Sequence, residues 1–247
     1  MIHQFQTPSE PGSPAMSRRP LVIAIDGPSG SGKSSTARGV AEKLGLAFLD
    51  TGAMYRAITW LALQEGVDLD DRAAVADLLT HASMEVDMDP RRPAIAINGV
   101  DVSEAIRAPE VSAAVSAIAT NLDVRADLVA RQKKLIADAA SGVVAEGRDI
   151  TTVVAPDADV RVLLVADPAA RVARRHAELA EHEMDVDDVT DQVIRRDRDD
   201  SVVAEFESAA PGVHVVDSTS LSLEEVIEMI CAFVPVRAQG DWRDRRG

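Results

Sequence analysis

The sequence predicts an α/β fold: a five-stranded parallel sheet covered by helices, with a small antiparallel module inserted into it. Short apolar runs alternate with segments of helical spacing, and this alternation is typical of a parallel sheet. The middle of the chain instead alternates apolar and polar residues around a tight-turn signal. A glycine-rich segment follows the first apolar run and precedes the first helical pattern. These three observations predict the fold class.

The first part of the parallel sheet is predicted near the start of the chain. Residues 21–25 form an uninterrupted apolar run, as in a strand that is buried on both faces. Residues 37–44 then carry small and apolar side chains at helical spacing. A second short strand is predicted at 47–49, followed by a helix over about 53–64.

The inserted module is predicted at residues 67–121. Residues 84–88 and 94–98 alternate like strands and are separated by aspartate and proline residues. Asn98-Gly99 is a strong signal for a tight hairpin turn. We therefore expect a small antiparallel sheet followed by helical pieces.

The second part of the chain returns to alternating helices and strands. Two segments in this part of the chain are charged and helix-like, and the last predicted helix is amphipathic. The predicted elements are a helix over 124–140, strands at 143–145 and 160–166, charged helical stretches at 168–182 and 186–200, a strand at 213–216 and a helix over 223–233.

The predicted organisation has a core that the inserted module interrupts, with a tail at each end. Proline, serine and glutamine without periodicity predict disorder at the N-terminus, and the C-terminal tail is polar. The predicted parts are a tail at 1–20, a core at 21–66 and 122–236, the module at 67–121, a helical lid at 170–204 and a loose tail at 237–247.

Composition and charge exclude several function classes. A formal net charge of −15 argues against binding of nucleic-acid polymers, since like charges repel. No run approaches the roughly 18 apolar residues of a membrane span, and the N-terminus lacks a secretory pattern. Cys231 is the only cysteine, so we expect a reducing, cytoplasmic location. Arginine, whose planar group binds phosphate through paired hydrogen bonds, carries most of the positive charge.

The glycine-rich segment fits the pattern of a phosphate-binding loop, G-x-x-x-x-G-K-[ST]. It lies between a buried strand and a helix, which is the context that the pattern requires. Backbone N–H groups would surround the phosphates of ATP, Lys33 would reach the β- and γ-phosphates, and the Ser34 hydroxyl would bind Mg²⁺. The predicted ATP-binding residues are Gly27, Ser29, Gly30, Ser31, Gly32, Lys33, Ser34 and Ser35.

Three broad classes of protein carry such a loop: GTPase switches, ATP-driven motors and small-molecule kinases. A switch should contain an N-K-x-D segment that reads guanine, and this chain contains none. A motor should contain an apolar run that ends in a carboxylate. Residues 143–145 end in Glu146, but Gly147-Arg148-Asp149 follows directly. An arginine at that strand end suits a second phosphate rather than Mg²⁺ alone, so the pattern favours a kinase.

Arginines in several separate segments support the kinase interpretation. Phosphoryl transfer brings two polyanions together, and arginines on a closing lid would neutralise them and exclude water. The alternative is that the dense set after residue 170 forms a solvated pair of charged helices. The arginines in question are Arg56, Arg125, Arg148, Arg171, Arg174, Arg175, Arg195, Arg196 and Arg198.

Four motifs in this order resemble bacterial cytidylate kinases of the P-loop nucleoside monophosphate kinase family. The resemblance extends over most of residues 21–233. The second and third motifs are the more specific ones. The four are Ile25 to Ser34, Leu49-Asp50-Thr51-Gly52-Ala53-Met54-Tyr55-Arg56, Glu146-Gly147-Arg148-Asp149, and Arg196-Asp197-Arg198-Asp199-Asp200-Ser201.

The resemblance implies ATP-dependent phosphorylation of CMP and dCMP to CDP and dCDP, with Mg²⁺, by a monomer whose insert binds the nucleoside monophosphate. It implies that Lys33, Arg148 and Arg196 are catalytic, and that Ser116, Arg125 and Asp149 read the cytosine. The implied CMP-binding residues are Thr51, Tyr55, Arg56, Ser116, Arg125, Arg148, Asp149, Arg196 and Asp200.

Alternatives stay open at this point. Asp50-Thr51 can simply cap a helix, Arg148 and Asp149 can form a structural pair, and Ser116 can be a packing residue. The chain also departs from the family pattern, with Thr151 at a usual glycine and Val203 at a usual arginine. The competing functions are a kinase for UMP, AMP or shikimate, and an impaired nucleotide-binding protein.

Overall fold

The computed structural model describes residues 19–178 and 208–235. The strands are β1 (Val22–Asp26), β2 (Ala47–Asp50), β3 (Met84–Asp87), β4 (Ala94–Ile97), β5 (Val100–Asp101), β6 (Val143–Gly147), β7 (Val160–Val165) and β8 (His214–Asp217). The α-helices are α1 (Lys33–Leu44), α2 (Thr51–Gln64), α3 (Arg72–His81), α4 (Pro109–Ala119), α5 (Leu122–Asp138), α6 (Pro168–Glu178) and α7 (Leu223–Ala232).

The main sheet has five parallel strands in the order β2-β6-β1-β7-β8. Its central strand β1 pairs with β6 from Val22↔Val143 to Asp26↔Gly147. All five residues of β6 are buried, since helices cover both faces of the sheet centre. The predicted parallel sheet is confirmed. Its pairing brings the ends of β1 and β6 side by side, although they are far apart in sequence.

Local signals explain where the helices flanking the sheet begin and end. Gly32 (φ 87°) precedes α1, and Gly45 (φ 68°) ends it in the left-handed conformation that favours glycine. Asp50 caps α2 by accepting a hydrogen bond from the Ala53 N–H. Ser222 and Glu225 form a reciprocal capping box at the start of α7.

The insert contains a three-stranded antiparallel sheet in the order β3-β4-β5. The turn between β4 and β5 has positive φ at Asn98 (51°) and Gly99 (76°), which confirms the predicted hairpin. Ile95 and Ile97 of β4 are buried in a hydrophobic cluster that also contains Met54 and Ile58 of α2. The small sheet therefore shares its core with the helix that follows β2.

The structure adds elements that the sequence analysis did not predict. Helix α3 precedes the small sheet, capped by Asp71, whereas only helical pieces after that sheet were expected. A short π-helical turn, Ile150–Val154, follows β6, which itself runs two residues beyond the predicted 143–145. The predicted stretch at 186–200 lies outside the described residues. Within 19–178 and 208–235, no helix has both the length and the apolar character that crossing a bilayer requires.

Candidate active site

One pocket is bounded by the glycine-rich loop on one side and by the ends of β2 and β6 on the other. We call residues 27–35 the loop wall, and the residues that follow β2 and end or follow β6 the arginine wall. From the loop wall, the pocket is lined by Ser29, Gly30, Gly32, Lys33, Ser34 and Ser35; from the arginine wall, it is lined by Asp50, Gly52, Arg56, Glu146, Gly147 and Arg148.

The loop wall depends on glycine where the backbone meets neighbouring strands and helices. A Cβ on Gly27 would lie 2.1 Å from the Leu164 carbonyl oxygen, and one on Gly30 (φ 74°) 2.5 Å from the Arg171 carbonyl oxygen. No side chain fits at either position, so the loop is held close to β7 and α6. Lys33 lies beside the loop, where its Nζ donates to the Pro28 carbonyl at 2.8 Å.

Two arginines of α6 contact the loop wall from behind. Arg171 Nη1 donates to the Ser29 carbonyl at 3.1 Å. Arg174 donates to Ser218 through both terminal nitrogens, at 3.0 Å to Oγ and 2.6 Å to the carbonyl, and its Nη1 lies 3.5 Å from the Ser31 carbonyl. Carbonyl oxygens of the loop at Ser29 and Ser31 therefore face α6. These arginines were expected in the lid cluster, and the structure places both against the phosphate-binding loop.

Glu146 is a site residue that the sequence analysis left out. It is 4% exposed, it ends the apolar run of β6, and its Oε1 accepts from the Ser34 hydroxyl at 2.6 Å. Burial and the nearby Asp50 carboxylate raise the pKa of Glu146 to about 7. The signal was present as a carboxylate after a buried strand. The arginine two residues later favours a second phosphate site, which is why Glu146 is not among the predicted site residues.

Arg56 projects from α2 into the pocket and is held by Asp50. Arg56 Nη2 lies 2.9 Å from Asp50 Oδ2, and the side chains are 18% and 17% exposed. Burial alone would raise the pKa of Asp50, but the Arg56 guanidinium and the Ala53 N–H outweigh it and lower that pKa. Asp50 thus caps α2 and pairs with Arg56 at the same time, so the capping interpretation is confirmed for Asp50, which also lines the pocket.

Thr51 and Tyr55 lie below the surface of the arginine wall. Thr51 is 3% exposed, and its hydroxyl donates to the Glu146 carbonyl at 2.7 Å, which ties the start of α2 to β6. Tyr55 is 9% exposed, one turn along α2. Arg148 does line the pocket, with its Nη1 3.5 Å from the Gly27 carbonyl. Contacts of Thr51 and Tyr55 with an acceptor phosphate stay predictions.

Arg125 of α5 and Asp149 form an ion pair next to the arginine wall. Arg125 Nη2 donates to Asp149 Oδ2, and the two side chains are 15% and 9% exposed. Burial raises the pKa of Asp149, and the Arg125 guanidinium opposes that rise. Ser116 lies half-buried on α4, and its assignment to the same subsite stays a prediction.

The described residues do not include all of the predicted site residues. Arg196, Asp200 and the departure at Val203 lie outside the described residues. So do Arg195, Arg198 and part of the predicted lid at 170–204. Among residues 19–178 and 208–235, no group of three or more His, Cys, Asp and Glu side chains is arranged to hold a metal ion.

Comparisons with known proteins point to one family. Residues 23–235 match the family model for cytidylate kinase. The chain is 55% identical to the cytidylate kinase of Cutibacterium acnes, over 90% of this chain and 99% of that protein. It is 43% identical to the cytidylate kinases of Streptomyces avermitilis, over 87% and 92% of the two chains, and of Geobacillus kaustophilus, over 89% and 99%. The chain therefore belongs to the cytidylate kinase family.

Proposed function

We propose that this protein transfers the γ-phosphoryl group of ATP to a phosphate oxygen of CMP or dCMP, giving ADP and CDP or dCDP. One observation carries the proposal: a single pocket is lined on one side by a phosphate-binding loop and on the other by Arg56 and Arg148. Two anion-binding walls that face each other are what transfer between two phosphates requires.

The loop wall binds ATP. Its backbone N–H groups lie at the start of α1, where the helix dipole adds partial positive charge. Lys33 exchanges its contact with the Pro28 carbonyl for the β- and γ-phosphates. In that position its ammonium group neutralises the charge that develops on the transferred phosphoryl group.

The arginine wall binds the acceptor phosphate. Arg56 and Arg148 supply planar donors, and Asp50 fixes the direction of Arg56. The acceptor oxygen is already an anion near pH 7, so the reaction needs no general base. Catalysis then consists of alignment and charge neutralisation. Thr51 and Tyr55 support this wall from beneath.

The Arg125–Asp149 pair, with Ser116, recognises the base. In its ionised form, the Asp149 carboxylate accepts from the exocyclic amine of cytosine, and Arg125 donates to the ring acceptors. A uracil carbonyl at the amine position would face the carboxylate as a second acceptor, which disfavours UMP. The existing ion pair supports this assignment because it holds both groups before the base arrives.

Mg²⁺ fits next to the Ser34 hydroxyl and the Glu146 carboxylate. Both are hard oxygen donors, they lie 2.6 Å apart, and Mg²⁺ bound with a nucleotide usually takes few protein ligands. The ion would screen charge on the ATP phosphates. Ser34 would bind it directly, and Glu146 would orient its water ligands. The cytoplasmic location and the monomeric state inferred from the sequence stay predictions.

The test is ADP release from ATP–Mg²⁺ with CMP, dCMP, UMP, AMP and shikimate as parallel acceptors. We expect strong turnover with CMP and dCMP and at least a tenfold lower kcat/KM with UMP, since one unpaired buried acceptor costs about 1–3 kcal/mol. Preference for AMP or shikimate would contradict the proposed acceptor. Binding of ATP without turnover on any acceptor would leave only the loop wall assigned.

A further inference from the structure

Asp26 is a buried carboxylate that the reaction proposed above does not use. It is the last residue of β1, directly before Gly27, and it is 1% exposed. Burial raises the pKa of Asp26, and hydrogen bonds from Thr151 and Ile150 oppose that rise. A carboxylate at this depth is costly unless its oxygens are hydrogen-bonded. Its partners therefore indicate what it holds in place.

The three hydrogen bonds that the Asp26 side chain accepts come from the turn that follows Gly147-Arg148-Asp149. Oδ1 accepts from the Ile150 N–H at 2.8 Å. Oδ2 accepts from the Thr151 N–H at 2.8 Å and from the Thr151 hydroxyl at 2.7 Å. One carboxylate at the end of β1 thus anchors the segment that carries Arg148 and Asp149.

The same turn is also held by hydrogen bonds of its own and by one from β7. The Asp149 carbonyl accepts from the N–H groups of Val153 at 2.8 Å and Val154 at 3.2 Å. The Thr151 carbonyl accepts from Arg161 Nη1 at 3.3 Å. Thr151 is therefore fixed through its N–H, its hydroxyl and its carbonyl. The direction in which the chain leaves Asp149 is set by these contacts.

Thr151 contributes two of the three hydrogen bonds to Asp26. With glycine, the carboxylate would accept only two N–H bonds from the turn. The threonine hydroxyl adds a third bond to a buried anion, and hydrogen bonds to charged groups are the stronger ones. The hydroxyl therefore strengthens the contact between the two segments.

We propose that Asp26 and Thr151 are positioning residues that set Arg148 and Asp149 relative to the phosphate-binding loop. They touch neither substrate. They act through Arg148, which faces the acceptor phosphate, and through Asp149, which faces the base. The proposal rests on the proposed function, because it assigns the positioning to CMP. It accounts for a buried anion placed between the two binding segments.

The sharpest test replaces Thr151, because that change removes one hydrogen bond and keeps the carboxylate. Thr151→Val keeps the shape and loses the hydroxyl, whereas Thr151→Ser keeps the hydroxyl. For Thr151→Val, we expect the Kd for CMP to rise about tenfold and the CMP-to-UMP ratio of kcat/KM to fall about fivefold, because Asp149 is no longer held in register. The Kd for ATP should stay within about twofold, and Thr151→Ser should keep wild-type values within the same range.

A matched control removes another buried threonine hydroxyl. Thr59 is 0% exposed on α2, and its hydroxyl donates to the Tyr55 carbonyl at 2.9 Å. Thr59→Val should leave the CMP-to-UMP ratio unchanged. Asp26→Asn should have a larger effect, about 100-fold on kcat/KM for CMP, since an amide nitrogen cannot accept from the turn. Circular dichroism tests whether this variant folds. If it does not fold, the comparison of Thr151→Val with Thr151→Ser still tests the proposal.

The outcomes separate this proposal from the proposed function. Wild-type protein without CMP turnover overturns both. Wild-type protein with CMP preference, combined with a Thr151→Val variant that keeps its CMP affinity and its base ratio, overturns only the positioning role. Equal losses of ATP and CMP affinity in Thr151→Val and Thr59→Val also overturn it, because they indicate general destabilisation. Isothermal titration measures both affinities without relying on turnover.

Discussion

In the proposed function, the loop wall and the arginine wall of the pocket bind anions with different parts of the chain. The loop wall is one short stretch of backbone, and close neighbours such as the Leu164 carbonyl restrict its glycines. The arginine wall is made of side chains from α2 and from the end of β6, and protein carboxylates and carbonyls already orient them. Apart from Lys33 and Ser34, a change in the loop wall therefore acts through backbone geometry. A change in the arginine wall acts through one side chain at a time. A conservative substitution there should therefore have a smaller effect than removal of the side chain.

Lys33 should give the largest effect on activity. It is the one loop-wall residue that acts through a charged side chain. Lys33→Ala should lower kcat by about 10³-fold or more, since the transferring phosphoryl group loses its cation. Thermal unfolding should show a retained fold. The control is Lys43→Ala on the same helix, where the ammonium pairs with Glu224 and Glu228 at the surface. A Lys33→Ala enzyme within tenfold of the wild-type kcat would contradict the assignment.

Gly27 and Gly32 test whether the loop wall acts through its backbone. Gly27→Ala would place a methyl group 2.1 Å from the Leu164 carbonyl oxygen, so it should lower the free energy of unfolding by about 3 kcal/mol. Gly32→Ala meets no atom within 4 Å, and it should cost only about 1 kcal/mol for its left-handed conformation. Urea unfolding measures both. Equal losses would show that steric contact with β7 is not what restricts the loop.

Arg56 tests the graded behaviour of the arginine wall. Arg56→Ala should raise the KM for CMP about 100-fold, which corresponds to about 2.7 kcal/mol for a lost charge-assisted contact. Arg56→Lys should fall between this variant and the wild type, since it keeps the charge but not the planar pair of donors. The KM for ATP should not change. The exposed Arg38 of α1 supplies the control Arg38→Ala, and an equal effect there would indicate a general change in charge.

Glu146 should give the smallest effect and the most specific one, a pH dependence. Its pKa is raised to about 7, so the carboxylate that we propose orients the Mg²⁺ ligands should become protonated as the pH falls below about 7. The wild-type kcat/KM should fall on that side. Glu146→Gln should lower activity about tenfold at pH 8 and remove this dependence, leaving only the titration of the nucleotide phosphates. If the kcat/KM of the variant still fell below about pH 7 as it does in the wild type, Glu146 would have no role in the mechanism.

The same carboxyl group has a consequence for stability, with a definite sign. The pKa of Glu146 is higher in the folded protein than its ordinary value, so the folded state binds more protons over that interval. The free energy of unfolding should therefore decrease as the pH rises from about 4.5 to about 7. Glu146→Gln should flatten this part of the stability curve, as measured by urea unfolding across that range.

The sequence predicted the parts of the molecule whose signals are local. The phosphate-binding loop lies between an apolar run and a helical pattern, and Asn98-Gly99 identifies its own turn. Helix α3 also had a local signal, with Asp71 as its cap and Val75 and Leu79 on one face, and that signal was missed. Helices α2 and α5 begin two residues before their predicted starts, since Asp50 and Asn121 cap them.

The parts that could not be predicted depend on pairing between distant segments. The hydrogen bonds from Thr151 to Asp26 join residues 125 positions apart, and only the β1–β6 register brings them together. The contact between Ser34 and Glu146 likewise spans 112 positions. The sequence around Gly147 does not reveal that Glu146 meets Ser34 and that Arg148 meets the Gly27 carbonyl. The fold decides that by placing Glu146 on the strand and Arg148 beyond it.

The hydrophobic cluster that the small sheet shares with α2 has a consequence for how the molecule opens. Ile95 and Ile97 pack in the same cluster as Met54 and Ile58. Separating the small sheet from α2 would therefore expose the apolar face of α2 to water. The three-stranded sheet and α2 should therefore unfold as one cooperative unit, with similar amide hydrogen-exchange protection. Because α2 carries Arg56, local unfolding of that sheet and loss of acceptor binding become a single event.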